Sequence, residues 1–168
     1  MDKRKFEIEY TVFENRKELV EEDRMLIEKA KEISVNAYVP YSGFRVGVAV
    51  LLDNGKVLTA NNQENASYPE GLCAERVVLF YAMSQYPDQK IKSIAVFGNP
   101  QKFTLTHFIS PCGGCRQVMY EYEYRSRSKM RILLSGISGE TVLVEGVENL
   151  LPFPFSVKDL SIHEEKEQ

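Results

Sequence analysis

The chain reads Pro-Cys-Gly-Gly-Cys at residues 111–115 and Cys-Ala-Glu at residues 73–75. Both stretches lie where a loop enters a predicted helix, a position whose unpaired N–H groups and helix dipole favour a thiolate. Cys112 and Cys115 are three residues apart and therefore share one face of the first helical turn. Three thiolates with one open position suit a tetrahedral catalytic zinc, whereas a structural site would need a fourth protein ligand.

Each of these residues also has a simpler interpretation. On spacing alone, the C-x-x-C pair fits a redox pair or half of a zinc knuckle equally well. Cys73 by itself could be a small buried side chain, and Glu75 a favourable partner of the helix dipole. The combination is more specific, because a ligand-x-Glu element followed by Pro-Cys-x-x-Cys is the pattern of zinc deaminases, in which the Glu transfers protons and does not bind the metal.

The composition excludes several classes of protein. The 168 residues include 21 Lys and Arg against 24 Asp and Glu, and the resulting net charge of −3 argues against a long nucleic-acid footprint. Three cysteines are an odd number for a disulfide framework. The charged N-terminus has no apolar run of signal-peptide length, and the longest apolar stretch, residues 46–52, is too short to cross a membrane. We therefore expect a cytoplasmic protein with no membrane partner, in which free thiols serve as metal ligands or nucleophiles.

Hydrophobic spacing predicts the order of the elements. Apolar residues alternate over residues 4–14 as in a half-buried strand, and recur every three to four positions over residues 16–38 as in a helix that ends near Pro40. The other predicted elements are a hairpin over 44–61 with its turn at Asp53-Asn54-Gly55, a helix over 73–85, a strand over 91–97, a helix opened by Pro111, and strands over 130–134 and 141–144. This order predicts a three-layer α-β-α sandwich around a mixed five-stranded sheet, with an extra N-terminal strand.

Five segments give the chain a resemblance to a known family. The segments are YVPYSGF (38–44), NQENASY (62–68), CAER (73–76), SPCGGCRQ (110–117) and LLPFPF (150–155). In their order and spacing, the chain resembles the homotetrameric, all-cysteine class of cytidine deaminases over roughly residues 17–160. Together these segments are far more specific than the zinc signature alone.

The resemblance implies a role for each matching residue. It implies one zinc per subunit held by Cys73, Cys112 and Cys115, with Glu75 as the catalytic proton shuttle. The residues implied in substrate binding are Phe44 against the pyrimidine, Asn62 and Glu64 at the ribose 3′-hydroxyl, Ala74, and Phe155 from a neighbouring subunit. Arg76 would bond to the thiolates and offset their charge, because three thiolates and Zn²⁺ sum to −1. Tyr68 would lie near a subunit contact of a homotetramer whose active sites are at the interfaces.

The implied reaction is hydrolytic deamination of cytidine and 2′-deoxycytidine to uridine and 2′-deoxyuridine plus ammonia, in pyrimidine salvage. Three rival functions remain open: a zinc deaminase of another small heterocycle, a deaminase of cytidine within nucleic acid, and a non-catalytic zinc-stabilised binding module. The pair Asn62 and Glu64 argues against a free base. The negative net charge and the lack of a basic-aromatic stripe argue against nucleic acid as a partner.

Some parts of the chain depart from the family pattern. Ala60 stands where the family usually has glycine, two residues before the ribose asparagine. We expect a single domain over residues 1–168, in which residues 1–15 are an N-terminal extension and residues 161–168 a frayed charged tail. His107 and His163 match no ligand position and are expected to be incidental.

Overall fold

A computed structural model describes residues 1–160 of the chain, and within that range it contains six strands and three α-helices. The predicted frayed tail, residues 161–168, lies outside the described residues. The strands are β1 (Thr11–Phe13), β2 (Phe44–Leu52), β3 (Val57–Asn61), β4 (Ile91–Pro100), β5 (Arg131–Gly136) and β6 (Thr141–Glu145). The helices are α1 (Glu21–Ser34), α2 (Ala74–Gln85) and α3 (Gly113–Ser126).

The six strands form one mixed sheet in the order β1-β6-β5-β4-β2-β3. Strands β4 and β5 are parallel, and every other neighbouring pair is antiparallel. The predicted turn at Asp53-Asn54-Gly55 joins β2 to β3, and Gly55 has a φ of +83° there, a conformation that favours glycine. The sheet thus consists of the five predicted strands, with the N-terminal strand β1 added at one edge.

Helices cover both faces of this sheet. Alternate side chains of β2 point to opposite faces, so Val48 and Val50 pack in the cluster that includes α2 and α3 residues. Ala49 and Leu51 pack on the other face, with residues of α1. The predicted three-layer sandwich is confirmed, and α2 contacts α3 on the same face of the sheet.

The N-terminal strand is much shorter than predicted. We predicted a strand over residues 4–14, but only Thr11–Phe13 pair with β6. In this register Tyr10 and Glu9 would lie opposite Val144 and Glu145, but they form no ladder there, and the Glu9 N–H donates to Asn149 Oδ1 at 3.2 Å. Residues 4–8 have no β6 residue opposite them, because β6 ends at Glu145 and Gly146 then turns the chain with a φ of +81°.

The first helix begins later and ends earlier than the predicted range of 16–38. Asn15 caps a short 3₁₀ turn, and Leu19 then adopts an extended conformation that places its side chain in the core at 5% exposure. At the other end, the N–H of Ala37 donates to the carbonyl of Ser34 in a four-residue turn. The helix therefore stops at Ser34, well before the proline that was expected to end it.

The remaining predicted elements are confirmed, and their ends differ from the predictions by at most three residues. The largest difference is in β4, which continues to Pro100 alongside β2. Among residues 1–160, every helix falls short of the length and apolarity that a membrane crossing needs.

We expect Glu123→Gln to lower the free energy of unfolding by about 1–3 kcal/mol. The Glu123 carboxylate lies within the fold on α3 and accepts two backbone hydrogen bonds, from Met130 N–H at 2.7 Å and Val147 N–H at 3.0 Å. A glutamine can accept only one of them and turns its NH₂ group towards the other donor. Urea unfolding of the zinc-loaded protein measures the change, with the exposed Glu121→Gln as the matched control. Equal stabilities of the two variants would contradict the structural role of Glu123.

Candidate active site

Three thiols converge where α2 and α3 begin. Cys73 is the residue that precedes α2, Cys112 precedes α3, and Cys115 lies in the first turn of α3. The Sγ atoms of Cys73 and Cys112 are 3.9 Å apart, those of Cys112 and Cys115 are 3.4 Å apart, and all three lie within 4.8 Å of one another. Tetrahedral zinc with Zn–S bonds of about 2.3 Å requires sulfurs about 3.8 Å apart. The donor set therefore fits one zinc ion, which these three cysteines would hold.

The surroundings of the thiols favour a thiolate at Cys73. An Arg76 guanidinium nitrogen lies 3.7 Å from Cys73 Sγ. A hydrogen bond from Cys115, with further help from Arg76, lowers the pKa of Cys73 well below its ordinary value, and the same hydrogen bond raises the pKa of Cys115. Arg76 Nε is buried and has no hydrogen-bond partner among residues 1–160. The cation therefore faces the sulfur cluster with one donor still unsatisfied.

Glu75 is almost fully buried beside this cluster. It lies in the first turn of α2 at 5% exposure, and burial raises the pKa of its carboxyl group to about 7. In the middle of a helix, side chains two positions apart point in different directions. Cys73 and Glu75 can therefore reach the same site only if the start of the helix faces that site. The structure places both in the wall of one cavity, with Ala74 between them.

This cavity has a volume of about 640 Å³ and adjoins the thiols. Its apolar lining is Phe44, Val46, Phe103, Leu105, Phe108 and Ile109, and its polar lining is Asn62, Glu75, His107 and Ser110, with Cys73 and Cys112 at the metal end. The rings of Phe44 and Phe103 contact each other with centroids 5.9 Å apart. An apolar cleft with a few polar groups at one end suits a small, flat heterocycle.

A second cavity of about 480 Å³ continues from the first, because Asn62 and Cys73 line both. Asn62 is fixed by two bonds to the β2 backbone: it accepts from Val46 N–H at 2.8 Å and donates to the Phe44 carbonyl at 2.9 Å. Each polar atom of its amide keeps further hydrogen-bonding capacity. The predicted pair of Asn62 and Glu64 therefore shares one wall of this cavity.

Glu64 is held by the loop that precedes β2. Burial raises the pKa of its carboxyl group, but hydrogen bonds from the Ser42 hydroxyl and from the Tyr41 and Ser42 N–H groups outweigh that effect, and the pKa lies below its ordinary value. Four lone-pair sites are available on a carboxylate. Glu64 can thus fix the loop and still accept one bond from a ligand.

Tyr68 and Phe155 lie away from the cavity beside the thiols within this chain. Tyr68 is 74% exposed and lies on the rim of the second cavity, with its ring 5.8 Å from that of Tyr41. Phe155 is 58% exposed and lines neither cavity. Its backbone N–H and carbonyl both bond to the Gln117 side chain, at 3.1 and 2.7 Å.

The loop between β4 and α3 supplies site residues that the sequence did not reveal. Phe103, Leu105 and His107 lie in the wall of the cavity beside the thiols, so His107 is close to the candidate site although it matches no ligand position. These residues have no hydrophobic period and no motif of their own. The available signal was their position just before the Pro111–Cys115 motif. A loop that leads directly into metal ligands is expected to run beside the metal site. His163 lies outside the described residues.

Comparison with known proteins agrees with this geometry. Residues 20–128 match the family described as the cytidine and deoxycytidylate deaminase zinc-binding region, and that range contains all three thiols. The cytidine deaminases of Halalkalibacterium halodurans and Sporosarcina psychrophila are each 37% identical to this chain. The first alignment covers 82% of this chain and 97% of the relative, and the second covers 81% and 93%.

Solved structures show the same fold. The cytidine deaminase of Burkholderia pseudomallei superposes with a TM-score of 0.69 at 36% identity and covers 82% of this chain and all of its own. The cytidine deaminase of Mycobacterium tuberculosis superposes with a TM-score of 0.60 at 31% identity, covering 82% of this chain and 99% of its own. The family match, the extent of these alignments and the three converging thiols lead to one conclusion: this chain belongs to the zinc-dependent cytidine deaminase family.

Proposed function

We propose that this chain catalyses the hydrolytic deamination of cytidine and 2′-deoxycytidine to uridine and 2′-deoxyuridine plus ammonia, as a cytoplasmic enzyme of pyrimidine salvage. The observation that carries the proposal is one cavity whose wall contains Glu75, Cys73 and Cys112, with Cys115 completing the cluster of three thiols. The relatives in this family are named for cytidine deamination. The net charge of −3 supports a small nucleoside over a nucleic acid as the substrate.

Glu75 carries the proton transfers in this proposal. Zinc supplies the Lewis acidity that makes water a nucleophile at neutral pH. The Glu75 carboxylate accepts a proton from the attacking water, which bonds to C4 of the pyrimidine, and delivers a proton to N3. Glu75 then takes the remaining proton from the C4 hydroxyl and passes it to the amino group. The C4 oxygen becomes the carbonyl of uridine as the C4–N bond breaks and releases ammonia. One buried carboxyl group beside both the metal site and the base can serve every transfer.

Other residues position the substrate and adjust the metal. Phe44 packs against the pyrimidine ring, while Asn62 and Glu64 hold the ribose 3′-hydroxyl in the adjoining cavity. Ala74 contacts the substrate between the metal ligand and the proton shuttle. Arg76 donates to the thiolates and reduces their excess negative charge, which would otherwise make the water less acidic.

We also propose that the enzyme is a homotetramer of the all-cysteine type, formed by copies of this single-domain chain. Phe155 and Tyr68 are exposed in one chain, which fits contacts with a neighbouring subunit. In this arrangement Phe155 reaches the base in a neighbouring active site. Sedimentation of a fully active monomer would contradict the proposal.

A substrate panel with a zinc assay of the same preparation tests the function. We expect about one zinc per chain, a loss of cytidine and deoxycytidine absorbance, and stoichiometric ammonia release. Free cytosine and cytidine within single-stranded RNA should react far more slowly, since the ribose pair would lack a partner or the cavity would exclude the strand. Zinc with no turnover of any nucleoside would indicate a binding module instead, and a faster reaction of another heterocycle would reassign the substrate.

A further inference from the structure

Residues 3–9, which we call the arm, precede β1, and residues 3–8 run beyond the end of its neighbour β6. Within residues 1–160, no strand pairs with the arm. Two contacts hold it along the segment after β6: the Phe6 ring lies 6.4 Å from that of Phe153, and the N–H of Glu9 donates to Asn149 Oδ1 at 3.2 Å. The family match begins only at residue 20, so the shared deaminase fold does not account for the arm.

The arm and the residues flanking it have one side that carries Phe6, Ile8 and Tyr10 together with the ion pair of Asp2 and Arg4, and one wholly charged side. Ion pairs between residues two positions apart, Arg4 with Asp2 and Lys5 with Glu7, show that alternate side chains share a side, as in an extended chain. The large apolar side chains remain about half exposed: Phe6 at 50%, Ile8 at 52% and Tyr10 at 59%. The charged side carries, in chain order, Lys3, Lys5, Glu7 and Glu9.

The charge pattern of one arm is complementary to the same pattern on a second copy that runs in the opposite direction. If two arms lie antiparallel with Phe6 opposite Phe6 of the second copy, Lys5 faces Glu7 and Lys3 faces Glu9 in both directions. A two-residue shift would place either Lys5 opposite Lys5 or Glu7 opposite Glu7, and a parallel pair in register would place every charge opposite its own kind. Opposite charges across neighbouring strands stabilise the pair and like charges destabilise it, so one register is favoured over the others.

We propose that the arms of two copies of this chain pair as antiparallel strands centred on Phe6. The pairing satisfies backbone N–H and C=O groups that no strand within residues 1–160 bonds, and it places the half-exposed Phe6 side chains of the two copies beside each other. The two contacts to Phe153 and Asn149 hold the arm along the body of its own chain, which lowers the entropy lost on pairing. The proposed pairing does not depend on the proposed deaminase activity, because no arm residue lines the cavity beside the thiols.

Disulfide trapping in the zinc-loaded, full-length protein tests the pairing and its register. In an antiparallel pair, directly opposite Cα atoms are about 4.5–5.5 Å apart, which is within disulfide range. Phe6→Cys should therefore give a disulfide-linked dimer on a non-reducing gel. Ile8→Cys is the matched control, since its two copies lie four positions out of register, roughly 14 Å apart along the strand. Wild type should give no such band. Absence of the dimer with Phe6→Cys, or an equal yield with Ile8→Cys, would overturn the proposal.

Charge exchange tests whether the arm's own pattern drives the pairing. In the Phe6→Cys background, Lys3→Glu with Lys5→Glu makes the charged side wholly acidic, and Glu7→Lys with Glu9→Lys makes it wholly basic. Each should form the disulfide at least tenfold more slowly than the Phe6→Cys parent at low salt. Co-expression of the two with different tags should restore a mixed dimer at the parent rate. Trapping at the parent rate by either variant alone, or no mixed dimer on co-expression, would show that the charges do not direct the contact.

Discussion

Replacement of Glu75 by glutamine should leave zinc bound and reduce the kcat for cytidine by about 10²–10⁴-fold. The glutamine fills the same nearly inaccessible space but cannot take up and release a proton at neutral pH. Because the three cysteines and not Glu75 would hold the metal, the zinc content should stay near that of wild type. Loss of cytidine absorbance measures the rate, and atomic absorption measures the zinc.

Glu70→Gln is the matched control for this experiment. Glu70 is an exposed glutamate of the 3₁₀ helix Tyr68–Glu70, just before α2, and it lines neither cavity. Its variant should keep wild-type rate and zinc content. A Glu75→Gln enzyme that turns over cytidine at near the wild-type rate would remove Glu75 from the mechanism, and one that lost its zinc would instead indicate a structural role.

The second large effect is expected for Cys112→Ala, which should lose zinc and all detectable turnover while keeping its fold. The Cys112 side chain is exposed and makes no capping hydrogen bond to α3. Its removal therefore creates no cavity in the core and breaks no hydrogen bond at the start of the helix. Two remaining thiolates cannot complete the tetrahedral site. The loss of metal affinity should therefore exceed the 10–100-fold that is typical when a residue behind the ligands is changed.

A chelator experiment separates this loss from general damage. Wild type stripped of metal should regain its activity when zinc is added, whereas Cys112→Ala should stay inactive at the same zinc concentration. Circular dichroism of both proteins checks that the helices remain. Zinc binding by Cys112→Ala at near wild-type affinity would show that Cys112 is not a ligand.

Local signals predicted the parts of the fold that depend on local chemistry. The turn at Asp53-Asn54-Gly55 was predictable because its sequence favours a tight hairpin, and Gly55 adopts the positive φ that such a turn uses. The start of α3 was predictable from the Pro111–Cys115 motif. The strand over residues 4–14 was overestimated because alternation shows that a segment can pair but not how long its neighbour is.

The candidate site was predictable to a similar extent. Cysteine spacing predicted that Cys112 and Cys115 share a face, and the fold brings Cys73 to them from a helix start that is 39 residues earlier in the chain. The wall formed by Phe103 and His107 was not predictable, because a loop side chain has no period to indicate the direction in which it points. The resemblance suggested Phe155, but one chain does not bring it to the site.

The first turns of α3 support more than the metal ligands. Arg116 donates to the carbonyls of Pro111 and Leu150, and Gln117 holds both backbone groups of Phe155. The segment that carries Phe155 is therefore hydrogen-bonded to the same end of α3 where Cys112 and Cys115 lie. In the homotetramer proposed above, a subunit that loses its zinc would therefore disturb the segment that carries its Phe155, and with it the neighbouring active site as well as its own.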